Sequence, residues 1–330
     1  MINTITKTKR RIPFVIGEEP NMLVDEQFRK CVTFLFVDVI DEVNGEPKRI
    51  PAATAFFVGV PVDNEGSVTY AITARHVVDA SRPHGSLYVR INTTSGGFQD
   101  FRAPQDAWVC HHSTDVAAIP VGLPSERFDL RTIPFSMLAT DDYVIRQRIG
   151  AGDDVFFVGL FSEYAGQERN QPIIRFGNIS LMPHEKIAVK LNPDSDATTL
   201  IDAYLVEARS WGGHSGSPAF IYYPPDREPG GGIVLGGNLP ALLGLVHGHY
   251  EIKQDVAFIG DILGSGKVPI NAGMAVVIPA QKIIDTLMQE ELVEERNRIL
   301  RGHRKHKPTP KPDVSPPESP PANEGSDTKQ

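Results

Sequence analysis

Three short stretches of this chain carry residue types that could cooperate in nucleophilic chemistry. GGHSGSP (Gly212–Pro218) holds Ser215 next to glycines and just ahead of a proline. A serine hydroxyl is a weak nucleophile on its own; it needs a base within hydrogen-bond reach and an acid to orient that base. AITARHVVDA (Ala71–Ala80) places His76 where an apolar, strand-like run gives way to a turn. HHSTDVAAIPV places Asp115 immediately before a run apolar enough to be a buried strand, where a carboxylate must be paired or hydrogen-bonded. Each stretch has a plainer reading: a Gly-Ser-Pro turn, a core-edge histidine, a turn-capping aspartate. Together they occur in the order His, Asp, Ser, each at a strand end, 39 and then 100 residues apart.

The elements that must position these residues read as β. Between about residue 30 and residue 278, short β-branched or aromatic runs alternate with turn clusters, among them CVTFLFVDVI, VTYAITA, DVFFVGLF, AYLVEA and ALLGLVHG. Many short strands at such spacing predict sandwiches or closed barrels rather than a parallel sheet, and their number predicts two barrels. The expected fold is all-β: two six-stranded antiparallel barrels, a C-terminal helix and a disordered tail. The first barrel covers residues 21–140 after an arm of residues 1–20. The second covers 141–278, with the polar stretch Ala139–Asp154 as the joint and Asp226–Gly237 as a long hairpin excursion. Residues 279–301 open with Pro279 and carry apolar side chains at Ile283, Ile284, Leu287, Met288 and Leu292, a helical spacing. Residues 302–330 hold seven prolines and no aromatic residue, a composition that cannot offset its ordering entropy. That tail is either a plain flexible segment or a ligand for a proline-recognising groove.

TARHVV, TDVAAIPV and GHSGSP resemble the three catalytic segments of trypsin-like serine peptidases, which have the chymotrypsin fold. GDDVFFVGL followed by RFGNIS (Arg175–Ser180) is similar to the opening strands of the second barrel in the HtrA-like and glutamyl-endopeptidase-like bacterial branches. ALLGLVHGHY (Ala241–Tyr250) resembles the strand lining the substrate cleft, and NAGMAVVIPAQKIIDTL (Asn271–Leu287) the closing strand and terminal helix. The likeness covers roughly residues 30–290.

The resemblance implies a serine endopeptidase. Ser215 attacks the carbonyl carbon, His76 takes its proton and later protonates the leaving amine, and Asp115 holds the imidazole in the required tautomer. The backbone N–H groups of Gly213 and Ser215 form the oxyanion hole, worth about 3 kcal/mol per donor. Gly213 and Gly216 permit the tight turn, Pro218 stiffens the return into a strand, and Thr73 is either a support for Asp115 or an ordinary strand residue. Substrate-binding positions are Arg209, six residues before the serine, with His247 and His249 on a pocket wall. A cation there favours an acidic side chain before the scissile bond; alternatively Arg209 turns to solvent or pairs with Glu207 or Asp202. The chain departs from the family at His214, where Asp or Asn is frequent, at Ser217, a common glycine, and at His247, a common serine near the aspartate.

Composition limits the rest. A formal net charge of −8 argues against a nucleic-acid-binding body, although Lys7, Lys9, Arg10 and Arg11 form a small basic arm. No apolar run is long enough to span a membrane, and IPFVIG running into Glu18 makes a poor signal peptide, so a cytoplasmic site is expected. Cys31 and Cys110, far apart, predict neither a disulfide framework nor a thiolate metal site. No cofactor or metal is expected. The expected partners are a protein or peptide substrate and a regulatory protein. Two other readings stand beside the peptidase: an inactive relative whose cleft binds peptides or partners, and a metal hydrolase using His84, His111, His112 or His247. The second lacks any recognisable ligand spacing.

Overall fold

The computed structural model describes residues 24–62, 66–124, 126–191, 197–208, 213–222, 240–257 and 265–306. Arg209, Gly212, the 226–237 excursion, the N-terminal arm and the tail from 307 lie outside the described residues. Among the described residues, no helix is long and apolar enough to cross a membrane.

The first half is an eight-stranded sheet built from β1 (Val32–Ile40), β2 (Pro47–Pro61), β3 (Ser67–Thr73), β4 (Leu87–Asn92), β5 (Phe98–Ala103), β6 (Val109–Cys110), β7 (Ala117–Val121) and β8 (Ile133–Pro134). Its order is β5-β4-β1-β2-β3-β7-β6, with β8 attached to β2. In β4 the burial alternates, Leu87, Val89 and Ile91 facing the core, as a half-buried strand should. The first six residues of β1 are all buried, in keeping with its unbroken apolar run. This half differs from the closed six-stranded barrel expected of it, because among the described residues β5 and β6 do not pair. Pro104, which has no N–H to donate, ends β5, and the tight turn Gln105–Ala107 leads into a β6 of only two residues.

The second half contains β9 (Asp154–Gly159), β10 (Ile173–Leu181), β11 (Ile187–Val189), β12 (Thr199–Ile201), β13 (Tyr204–Glu207), β14 (Pro218–Ile221), β15 (Ala241–Ala257) and β16 (Ser265–Pro279). Six of these close a barrel in the order β10-β13-β16-β15-β14-β9, while β11 and β12 pair separately. Val155, Phe157, Val206, Ala219, Leu243 and Val277 fill one of its apolar clusters. Between the halves lies a short helix within the expected joint.

The helices are α1 (Glu26–Lys30), α2 (Arg75–Ala80), α3 (Asp141–Arg146), α4 (Ala280–Leu287) and α5 (Glu290–His306). In α1, Phe28 packs edge-on against Phe156 and Phe220 of the barrel, tying the first half to the second. The single helix expected over 279–301 is two helices, and the second continues past Arg301. No glycine or proline stands at the break, which falls at Met288–Gln289. Arg296, buried in α5, donates to the Leu287 carbonyl at 2.8 Å and to the Tyr70 hydroxyl of β3 at 3.2 Å. The end of α4 is thereby satisfied and α5 is fastened to the first sheet.

Candidate active site

Strand pairing brings the histidine and the aspartate together. Thr73, the last residue of β3, pairs with Ala117, the first of β7. The chain leaving β3 enters α2 at once, and the chain approaching β7 passes through Asp115, so His76 and Asp115 emerge side by side. Asp115 Oδ1 accepts the backbone N–H of His76 at 2.8 Å, and Oδ2 lies 2.7 Å from His76 Nδ1. Helix α2 has no side-chain cap of its own, so Asp115 also satisfies one of its orphan first-turn amides. Two contacts from one carboxylate fix both the backbone and the ring of His76. With Nδ1–H as donor, Nε2 remains the acceptor of that ring.

A second imidazole converges on the same carboxylate. His247 of β15 places Nδ1 2.5 Å from Asp115 Oδ2, and its ring meets that of His76 edge-on with centroids 5.0 Å apart. Asp115 is fully buried. Burial alone would raise its pKa, but the neighbouring His76 charge and the hydrogen bonds from His247 and His76 hold it well below the usual carboxylate range. Burial likewise opposes a charged His76, yet the attraction of Asp115 wins and raises its pKa above the ordinary histidine value.

Ser215 is held from the other half. The turn before β14 lies along β15: Gly216 N–H donates to the Val246 carbonyl and Val246 N–H to the Ser217 carbonyl, each at 2.8 Å. Thr54 of β2 clamps the turn across the interface. Its N–H donates to the Ser215 carbonyl at 3.0 Å, its hydroxyl donates to the Gly213 carbonyl at 2.8 Å, and that hydroxyl accepts Leu160 N–H at 2.9 Å. Gly213 and Gly216 have φ of 92° and 83°, a left-handed backbone that glycine adopts without strain. A Cβ on Gly216 would lie 2.1 Å from the Thr54 carbonyl oxygen, so the two halves approach closely only because no side chain is there. Among the described residues, neither Gly213 N–H nor Ser215 N–H has a protein acceptor, whereas those of Gly216 and Ser217 are both engaged. The Ser215 hydroxyl donates to the His247 carbonyl oxygen at 2.9 Å rather than to His76.

Beneath the turn, His214 is almost completely buried and accepts a hydrogen bond from Arg175 Nε of β10 at 3.2 Å. Burial, with a smaller contribution from the Arg175 charge, lowers the His214 pKa to about 4. The ring is therefore neutral near pH 7, as an acceptor of an arginine N–H must be. Its ring is engaged by Arg175 of β10.

The remaining expectations fare unevenly. His76 and Asp115 are in direct contact, and Ser215 is linked to them through His247, whose carbonyl accepts the serine hydroxyl and whose ring meets Asp115. Among the described residues the Gly213 and Ser215 amides have no protein acceptor. His247, expected on a pocket wall and at the place of a family serine near the aspartate, turns its ring onto Asp115. Partly buried His249 follows it on β15, and Arg209 cannot be placed because it lies outside the described residues. The Thr73 hydroxyl donates to the Thr54 carbonyl at 2.8 Å rather than to Asp115, and so helps hold the turn's clamp. His111 accepts the N–H groups of Ser113 and Thr114 at 3.1 Å, capping a turn. The described group with metal-ligating donors is His76, Asp115 and His247, whose ligand atoms lie within 4.8 Å of one another. Thr54 and Arg175 were not legible as site residues, since an unremarkable strand threonine and arginine gain their roles only through contacts about 160 and 39 residues away.

No family model and no curated protein matches the chain. Among solved structures it is similar to the active form of the Rv3671c protease from M. tuberculosis, at 18% identity over 86% of this chain and 93% of that chain, with a TM-score of 0.43. It is also similar to the inactive form of that protease, at 17% identity over 79% of this chain and 88% of that chain, with a TM-score of 0.40.

Proposed function

We propose that this chain is a serine endopeptidase of the trypsin-like type, in which Ser215 attacks the peptide carbonyl, His76 is the general base and then acid, and Asp115 orients and charges the imidazole. The observation that carries this reading is the double grip of a fully buried Asp115 on His76, backbone N–H at 2.8 Å and Nδ1 at 2.7 Å, with Ser215 linked to the pair through His247. A carboxylate so placed keeps the proton on Nδ1 and leaves Nε2 to receive one, which is what nucleophile activation requires. The unengaged Gly213 and Ser215 amides supply donors for the oxyanion that forms.

An acidic side chain before the scissile bond is the preference we assign. Arg175 supports it: its Nε is committed to neutral His214, one residue before the nucleophile, so its guanidinium fork is held in place without a charge to cancel it there. Glu207, on the same open pocket as Arg175, is the competing anion, and no ion pair joins the two. A peptide library read with wild type, Arg175→Gln and Arg209→Gln tests this; a preference for basic or large apolar residues in wild type would sink it.

A second reading has its own observation. Because the Ser215 hydroxyl rests on the His247 carbonyl, the resting site is not poised for attack, as expected of a domain that only binds peptides or of an enzyme that substrate must realign. A fluorophosphonate probe separates them. Labelling of wild type but not of Ser215→Ala or His76→Gln supports the peptidase, and absence of labelling in the presence of peptide substrates supports the binder.

A further inference from the structure

We propose that His76, Asp115 and His247 form a reversible site for a divalent transition-metal ion of the zinc type, and that its occupancy silences Ser215. The second half of this proposal rests on the serine-peptidase reading; the first does not.

Two imidazole nitrogens and a carboxylate oxygen are the donor set that suits zinc, and three protein ligands with one open position are the usual form of an accessible zinc site. Magnesium and calcium, which want oxygen ligands throughout, do not fit. Both Nδ1 atoms already aim at one point, Asp115 Oδ2, at 2.7 and 2.5 Å, one from α2 and one from β15. Ligands about 2.0–2.2 Å from a tetrahedral zinc ion lie roughly 3.4 Å apart, so the two Nδ1–Oδ2 pairs need to open by less than about 1 Å each. The three donor atoms already lie within 4.8 Å of one another. The two histidine side chains are 14% and 11% exposed, enough for an ion to arrive from the cleft, while the carboxylate beneath them is wholly buried. His247 is what makes the set: a serine there would support Asp115 but leave only two good ligands.

The silencing follows from tautomers. In the metal-free site each ring carries its proton on Nδ1 and donates it to Asp115. When Nδ1 becomes a ligand, the proton of a neutral ring moves to Nε2, and a ring that was protonated loses one proton to solvent. His76 Nε2 is then a donor and cannot accept the serine's proton. Asp115, its charge shared with the cation, no longer supports an imidazolium.

The test uses the full chain in two independent arms. Calorimetry with zinc alone, and visible absorption with cobalt alone, are run on Ser215→Ala, on the same variant carrying His247→Ser, and on the same variant carrying His247→Gln. We expect one ion per chain, tetrahedral cobalt bands, and an affinity loss above about 100-fold in both His247 variants, beyond the 10–100-fold cost of losing an outer-shell partner. Circular dichroism of each variant shows that the fold persists. In the second arm, fluorophosphonate labelling of the Ser215 chain is expected to slow more than tenfold with zinc, to recover with a chelator, and to lose this zinc sensitivity in His247→Ser. No binding by the parent, or binding untouched by both His247 variants, overturns the site. Binding without slowed labelling overturns the silencing, as does labelling that requires the metal. A chain that never labels, metal-free or not, refutes the peptidase reading while the calorimetric and cobalt results still decide the site.

Discussion

Replacing Asp115 by Asn separates the carboxylate's two tasks, because the new side chain has nearly the same shape. Oδ1 accepts a backbone N–H that cannot be moved, so the amide oxygen must stay on that side. The NH2 group then occupies the position of Oδ2, where two Nδ1 atoms now donate from 2.7 and 2.5 Å. An amide cannot accept there; both rings must give up the Nδ1 proton and become Nε2–H tautomers. In the proposed peptidase, His76 would then present a proton, rather than a lone pair, to Ser215. Loss of the correct tautomer in triads of this kind costs about 10⁴ in rate, equivalent to about 5 kcal/mol of barrier. The assay is the second-order rate of fluorophosphonate labelling at pH 8, with thermal melts to show that the variant is folded. A decrease of less than tenfold in a folded Asp115→Asn chain would refute the tautomer argument, because it would mean that His76 is oriented without Asp115.

Three further outcomes are expected. The labelling rate should rise with pH as His76 loses its proton, with a midpoint above the ordinary value of about 6.5, and a midpoint at or below that value would contradict the Asp115–His76 attraction. Gly216→Ala should lower stability by roughly 2 kcal/mol or more, since φ of 83° and a Cβ 2.1 Å from the Thr54 carbonyl are both unfavourable; a melting temperature within 1–2 °C of wild type, by the usual size scaling, would show that the clamp can open. His214 is lowered to about 4 in the folded chain, so its contribution is present above the unfolded value of about 6.5 and is lost as pH falls toward 4. Across that window the contribution of His76, whose folded pKa is raised, stays fully present. Melting curves from pH 7 to pH 4 should therefore fall less steeply for His214→Gln than for wild type, and parallel curves would refute the assignment.

Much of this protein can be read directly from residue order. Apolar alternation in LYVRIN and unbroken apolar runs such as VTFLFV dictate strands, because a two-residue side-chain period can bury only one or both faces of a sheet. His76, Asp115 and Ser215 each announced themselves at a strand end, since turn chemistry and the edges of buried runs are local properties. Tertiary structure decided what depends on distant partners. β5 has a polar surface that hides it in the sequence, and it is held by Arg90 and Arg49, which reach Asp100 at 2.7 and 3.1 Å. The break between α4 and α5 has no breaker residue, and the Leu287 carbonyl left there is met by buried Arg296 from the next helix. The opening of the first sheet between β5 and β6 was equally unreadable, because barrel closure depends on whether two edges meet in space. His247 shows the division most clearly: the family resemblance suggested a place near the aspartate, but only folding could decide that its ring would share one carboxylate oxygen with His76 while its carbonyl holds the serine. A hydrogen bond spanning 132 residues leaves no periodicity in the chain, because it depends on two sheets meeting rather than on any local pattern.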